Sequence, residues 1–210
     1  MNTIAHTIAH MLLQIGAVTL RPQQPFTWTS GIKSPIYCDN RLTMAFPQVR
    51  DLIAAEFSNR INCEWGLVDV IAGTATAGIP HAAFVAQKMC LPMAYIRSSA
   101  KGHGKENMIE GLIRPGQRVV VIEDLISTGG SSVKAAQAVR DAGAEVVGVA
   151  AIFTYGFEKA TQTFADAGIP LRTLTSYDTL LEIAVEKGYI RQEELNLLAA
   201  WRTNPENWPA

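Results

Sequence analysis

The stretch VVVIEDLISTGGSS, residues 119–132, decides how this chain folds and what it holds. It begins as a continuous β-branched run, passes two adjacent acids, Glu123 and Asp124, and ends in hydroxyls and glycines. An unbroken apolar run of that kind reads as a strand covered on both faces, as in a parallel sheet flanked by helices. In such sheets ligands bind beyond the carboxyl ends of the strands. With a strand over 118–122, residues 123–132 stand where a ligand is held. Ser127, Thr128, Ser131 and Ser132 supply hydroxyls, and Gly129 and Gly130 let the backbone come close. The start of the following helix turns uncompensated N–H groups toward the same place. This is a phosphate cradle without the lysine of a GxxxxGK[ST] loop. In its place stand two carboxylates, which repel phosphate and must face something that donates, such as sugar hydroxyls or a bound cation. A ribose 5-phosphate satisfies both halves.

Outward from this loop the chain keeps an alternating grammar. Strand-like runs at 67–72, 92–97, 144–153 and 171–174 alternate with helical stretches at 78–88 and 130–142. The expected fold is α/β, a central and mostly parallel sheet flanked by helices. Residues 4–15 carry apolar side chains at helical spacing, 26–40 read as strand, turn and strand, and 47–60 read as a helix. Short helices are expected at 178–188 and 192–201. The whole of 1–210 reads as one domain, with a core over about 61–175 and a small cap from about 1–45 and 176–210.

Composition excludes several classes. A net charge of −1 over 210 residues gives no electrostatic reason to expect nucleic acid or an anionic membrane as partner. The N-terminal stretch lacks the basic flank and long apolar run of a signal peptide or membrane span. Cys38, Cys63 and Cys90 form no CxxC pair, which argues against a disulfide framework or zinc site and fits the reducing cytoplasm. His6 and His10 stand four apart on the first helix, too few ligands for zinc.

The string at 119–132 resembles the phosphoribosyl diphosphate (PRPP) binding motif of type I phosphoribosyltransferases. Three further segments resemble the orotate-using branch of that family in the same chain order: FTWTSGIKSPIYCDNR at 26–41, AGTATAGIPHAA at 72–83 and YIRSSAKGHGKENMIEG at 95–111. The last is rich in cations and glycine, and reads as a moving loop suited to close over pyrophosphate. The resemblance implies Mg2+-dependent transfer of ribose 5-phosphate from PRPP to orotate, giving orotidine 5′-monophosphate for pyrimidine synthesis. It implies that Glu123 and Asp124 hold the ribose hydroxyls, that Ser127, Thr128, Gly129, Gly130 and Ser131 hold the 5-phosphate, and that Leu125 and Ile126 belong to the same PRPP-binding stretch. Ser127 is also placed to touch orotate. Arg97, Lys101 and His103 meet the pyrophosphate and form the catalytic set, Lys101 foremost, with the backbone of 73–78 opposite. No residue is expected to ligate Mg2+ directly, since it arrives on PRPP. The family is homodimeric, with the cationic loop serving the neighbouring subunit's site.

Four family cations are replaced here by Thr29, Ala77, Ser98 and Tyr155, and Lys33 or Lys105 are expected to substitute in space. His81 reads as a packed or half-exposed helix residue, with a part in binding as the alternative, Trp201 and Trp208 as packing, and Phe26, Trp28 and Tyr37 as either core or a surface for a pyrimidine. Two other readings share the PRPP cradle: a transferase for another base, and a non-catalytic PRPP-sensing regulator. The latter would carry a nucleic-acid-binding face, for which there is neither spare length nor basic charge.

Overall fold

The computed structural model describes residues 3–27, 31–99, 108–205 and 208. The chain begins with α1 (Ile4–Gln14), β1 (Val18–Leu20), β2 (Phe26–Thr27), β3 (Lys33–Ser34) and β4 (Ile36–Cys38). A 3-10 helix, Asn40–Ala45, leads into α2 (Pro47–Glu64), which has proline in its first turn, where no N–H is needed. The core follows as β5 (Val70–Thr74), α3 (Gly78–Met89), β6 (Met93–Ile96), β7 (Ile109–Glu110), β8 (Arg118–Ile126), α4 (Gly130–Asp141), β9 (Glu145–Thr154), α5 (Glu158–Asp166) and β10 (Leu171–Ser176). The chain closes with α6 (Tyr177–Glu186), a 3-10 turn at Gln192–Glu194 and α7 (Leu195–Thr203).

Six strands form one sheet in the order β10-β9-β8-β5-β6-β7, parallel throughout except for β7 at the edge. The β-branched run of β8 faces two cores in alternation. Val120 and Ile122 point to the side carrying α1, α2, α3, α6 and α7, while Val119 and Val121 point to the side carrying α4 and α5. This is why the run shows no polar alternation: both faces are buried. The chain ends meet on the first side, where the Trp201 indole donates to the Lys33 carbonyl at 3.1 Å and Gln23 donates to Glu194 at 3.4 Å. Trp201 is fully buried, as its reading as packing requires.

One boundary differs in a way that matters. Strand β8 was expected to stop at Ile122, before the acids, but it continues to Ile126. Leu125 and Ile126 pair with Phe153 and Thr154 of β9, so the ladder carries Glu123 and Asp124 with it. The acids therefore sit on a rigid strand, and only 127–129 form the turn. β5 leaves earlier, its last pairing with β8 being Gly73 with Ile122. β5 runs to β6 on one side and the chain returns as β8 on the other, so the direction of winding reverses between β5 and β8. A reversal of that kind opens a crevice at the strands' carboxyl ends.

Candidate active site

That crevice is a cleft of about 260 Å3, walled on one side by Ala75, Thr76 and Ala77 and on the other by the acids and the turn after β8. Two helices start at it. α3 begins after Ala77 and α4 after Gly129, and neither has a side-chain cap. The amides of the first turn of α4 are thus left for a ligand. At α3 Ile79 donates to the Thr76 carbonyl at 3.3 Å and Pro80 carries no N–H, which narrows the donors there to the Gly78 N–H. The positive ends of two helix dipoles stand behind both starts.

Close packing brings these walls together. A Cβ on Gly78 would meet the Ile122 carbonyl oxygen at 2.5 Å, so glycine lets the start of α3 press against β8. Gly129 has φ 82, the left-handed region glycine favours, and a Cβ there would meet the Phe164 ring at 2.8 Å. Because the neighbour of Gly78 is backbone and cannot swing aside, Gly78→Ala is expected to cost about 1–3 kcal/mol. Urea unfolding would show this as a lower midpoint, and an unchanged midpoint would contradict the packing.

The two acids differ in setting. Glu123 is 6% exposed. Its carboxylate accepts the Asp124 N–H at 3.0 Å and the Ser132 hydroxyl at 2.9 Å. Asp124 is less deeply buried and lines the cleft. Burial, followed by the neighbouring Asp124 carboxylate, pushes the Glu123 pKa up to about 8, and burial raises Asp124 too. Both groups therefore hold protons more tightly in the folded than in the unfolded chain. Their contribution to stability is present below the ordinary carboxylate pKa and is lost as pH rises from there toward about 8. Between pH 5 and pH 8, wild type is expected to lose more stability than Glu123→Gln when urea midpoints are compared. Equal losses would remove Glu123 from that account.

Ser127, Thr128, Gly129 and Ser131 line the cleft with Leu125, while Gly130 opens helix α4 onto open space. The Ile126 side chain is in the core, and its carbonyl accepts the Tyr155 N–H at 3.1 Å. Ser132, expected among the phosphate-facing hydroxyls, also borders the cleft, but its hydroxyl donates to Glu123 and the residue is fully buried. Arg97 does not line this cleft; its guanidinium lies 3.7 Å from Glu110. Lys101, His103 and Lys105, with Trp28 and Thr29, lie outside the described residues. Tyr155 is buried among Phe153, Phe157, Tyr177 and Trp201 at ring separations of 5.3 to 6.5 Å, a setting that could not take an arginine unpaired. Phe26 and Tyr37 pack at 5.6 Å, with Tyr37 44% exposed.

One neighbour of the acids gave no sequence signal. Asn40 is fully buried and donates to the Asp124 carbonyl at 2.7 Å, across 84 residues of chain. Thr43 donates to the Asn40 carbonyl at 2.6 Å, and buried His81 places Nε2 3.5 Å from the Thr43 hydroxyl. Burial holds the His81 pKa down to about 4, so its ring is neutral near pH 7.

Comparison with known proteins places this architecture. The family model "Phosphoribosyl transferase domain" matches residues 45–178. A Bacillus caldolyticus orotate phosphoribosyltransferase is 61% identical over 203 residues, covering 97% of this chain and 98% of its own. One from Listeria monocytogenes serotype 4b is 59% identical over 206 residues, covering 98% and 99%. The crystal structure of orotate phosphoribosyltransferase from Aeropyrum pernix superposes with a TM-score of 0.76 at 28% identity, over 88% of this chain and 99% of that one. With similarity running end to end through the cleft-forming segments, the chain belongs to the orotate phosphoribosyltransferase family.

Proposed function

We propose that this chain transfers the ribose 5-phosphate group of PRPP to orotate, releasing pyrophosphate and forming orotidine 5′-monophosphate in pyrimidine nucleotide synthesis. The observation that carries this is the order of groups around one cleft: an uncapped helix start, a pair of carboxylates, and a second uncapped helix start. PRPP has the matching order of 5-phosphate, ribose hydroxyls and diphosphate. Donors at 127–131 take the 5-phosphate, and the Asp124 carboxylate accepts the ribose hydroxyls. Glu123 stands behind Asp124, each of its oxygens keeping a lone pair beyond the bonds to Asp124 and Ser132. The backbone at 75–77 takes the diphosphate.

In the reaction the C1′–oxygen bond to pyrophosphate breaks as a ring nitrogen of orotate bonds to C1′; the electron pair leaves with pyrophosphate, and the proton of that nitrogen passes to the departing pyrophosphate or to water. Positive charge grows on the ribose and negative charge on the leaving group, so the protein's work is alignment and charge stabilisation. Asp124, fixed on β8 beside the sugar, suits the first, and Lys101, Arg97 and His103 the second. Arg97 lies off its own cleft, which agrees with a homodimer in which the 97–105 segment serves the partner's site.

Mg2+ is the expected cofactor. Among the described residues no cluster of three or more metal-ligating side chains exists, and a hard cation that keeps its waters and rides on a diphosphate fits the cleft's carboxylate without one. When bound it would neutralise diphosphate charge. No helix among the described residues is long and apolar enough to cross a membrane. The three cysteines are free thiols, which supports the proposed cytoplasmic setting.

The relatives' shared name favours orotate over another base, and a cleft that retains all three elements favours an enzyme over a sensor. The test is pyrophosphate release with PRPP, Mg2+ and each of orotate, uracil, adenine and hypoxanthine. Release with orotate alone is expected; release with a purine and none with orotate would overturn the assignment.

A further inference from the structure

We propose that Asn40 is a positioning residue for Asp124, completing the sheet's hydrogen bonding at the point where the ribose-binding carboxylate stands. This rests on the reading of the cleft as a PRPP site.

The pairing of β5 with β8 ends at Gly73 and Ile122, because β5 turns away to form the 75–77 wall of the cleft. From Glu123 onward β8 has a strand neighbour only in β9. The crevice that admits the ligand therefore deprives β8 of a partner on one side. A buried carbonyl without a donor is costly, and a strand end held on one side is free to shift. The Asn40 amide occupies this place, donating to the Asp124 carbonyl at 2.7 Å.

Its orientation is set from the other end. The Cys38 thiol lies 3.4 Å from Asn40 Oδ1 and donates to it, so the amide nitrogen is the atom left for Asp124. The Thr43 hydroxyl holds the Asn40 backbone carbonyl at 2.6 Å, and Asn40, Thr43 and His81 are each at most 1% exposed. With His81 neutral, no charge enters this network. An asparagine whose own amide and backbone are both held can fix another group to a fraction of an ångström. The bond also ties the 36–41 segment, which carries exposed Tyr37, to the strand that carries Asp124.

The test compares Asn40→Ala, Asn40→Asp and Cys38→Ser with wild type in steady-state kinetics, each folded fraction being checked by circular dichroism and thermal melting. Asn40→Asp keeps the volume and loses the donor, and Asn40→Ala serves if the aspartate variant does not fold. Loss of the pin is expected to raise KM for PRPP about tenfold, the effect of one net hydrogen bond's worth of misplacement, with KM for orotate changed less than about twofold. Cys38→Ser, which keeps a donor to Asn40, is expected to retain the wild-type KM for PRPP. A lower melting temperature with an unchanged KM for PRPP would make Asn40 merely structural and overturn the proposal. Absence of wild-type turnover with PRPP and each of orotate, uracil, adenine and hypoxanthine would instead refute the PRPP-transferase reading itself.

Discussion

Lys101→Ala is expected to turn over orotate about 10²–10³-fold more slowly than wild type, the usual effect of removing one donor aimed at developing negative charge. Pyrophosphate departs with charge that must be met as the C1′–oxygen bond lengthens, and this cation is offered by a segment with few rivals. Ala77 and Ser98 stand at two positions where the resemblance expects cations, so the proposed reaction places more of the load on Lys101. The loss should fall on kcat, with KM for PRPP changed little, since the contact strengthens only as charge develops. Circular dichroism and the melting temperature should match wild type. Turnover within threefold of wild type would remove Lys101 from the catalytic role.

Asp124→Asn is the second large effect, and it should move activity and stability in opposite directions. In the proposed complex the carboxylate would accept hydroxyl hydrogen bonds as a charged group, each worth about 1.5–3 kcal/mol, so its loss should raise KM for PRPP roughly 10–100-fold. The same substitution removes a buried negative charge from beside Glu123, whose own pKa is raised by burial and by Asp124. The unliganded variant should therefore melt at a higher temperature at pH 8 than wild type, because less electrostatic stress remains. Such an exchange of stability for binding is characteristic of a site group rather than a structural one. Lower stability together with unchanged KM would contradict it.

The fold was legible because 119–122, 146–152 and 70–72 are β-branched or small without polar alternation, and Gly78, Gly129 and Pro47 mark helix starts. The end of β8 was not, since two adjacent acids read as the edge of a strand. Only the pairing of Leu125 and Ile126 with β9 shows that they belong inside it. The short strands β1 and β7 span three and two residues, too few to carry a period. Within the cleft, hydroxyl type was legible but hydrogen-bond partners were not: Ser131 and Ser132 both border it, and the Ser132 hydroxyl is taken up by Glu123. Asn40 could not be found from sequence at all. Its role depends on a contact across 84 residues, and in the sequence it reads only as the last residue of a strand. The replacement of family cations at Tyr155 finds its physical reason in the aromatic cluster that encloses that ring.

The central claim is that one cleft reads PRPP in a fixed direction, from the start of α4, across Asp124, to the start of α3. A crystal structure of the protein with PRPP and Mg2+ tests this most directly. The 5-phosphate is expected against the backbone and hydroxyls of 127–131, the ribose hydroxyls on Asp124, and the diphosphate against 75–77. A diphosphate bound at 127–131, or a ribose with no contact to either acid, would contradict it.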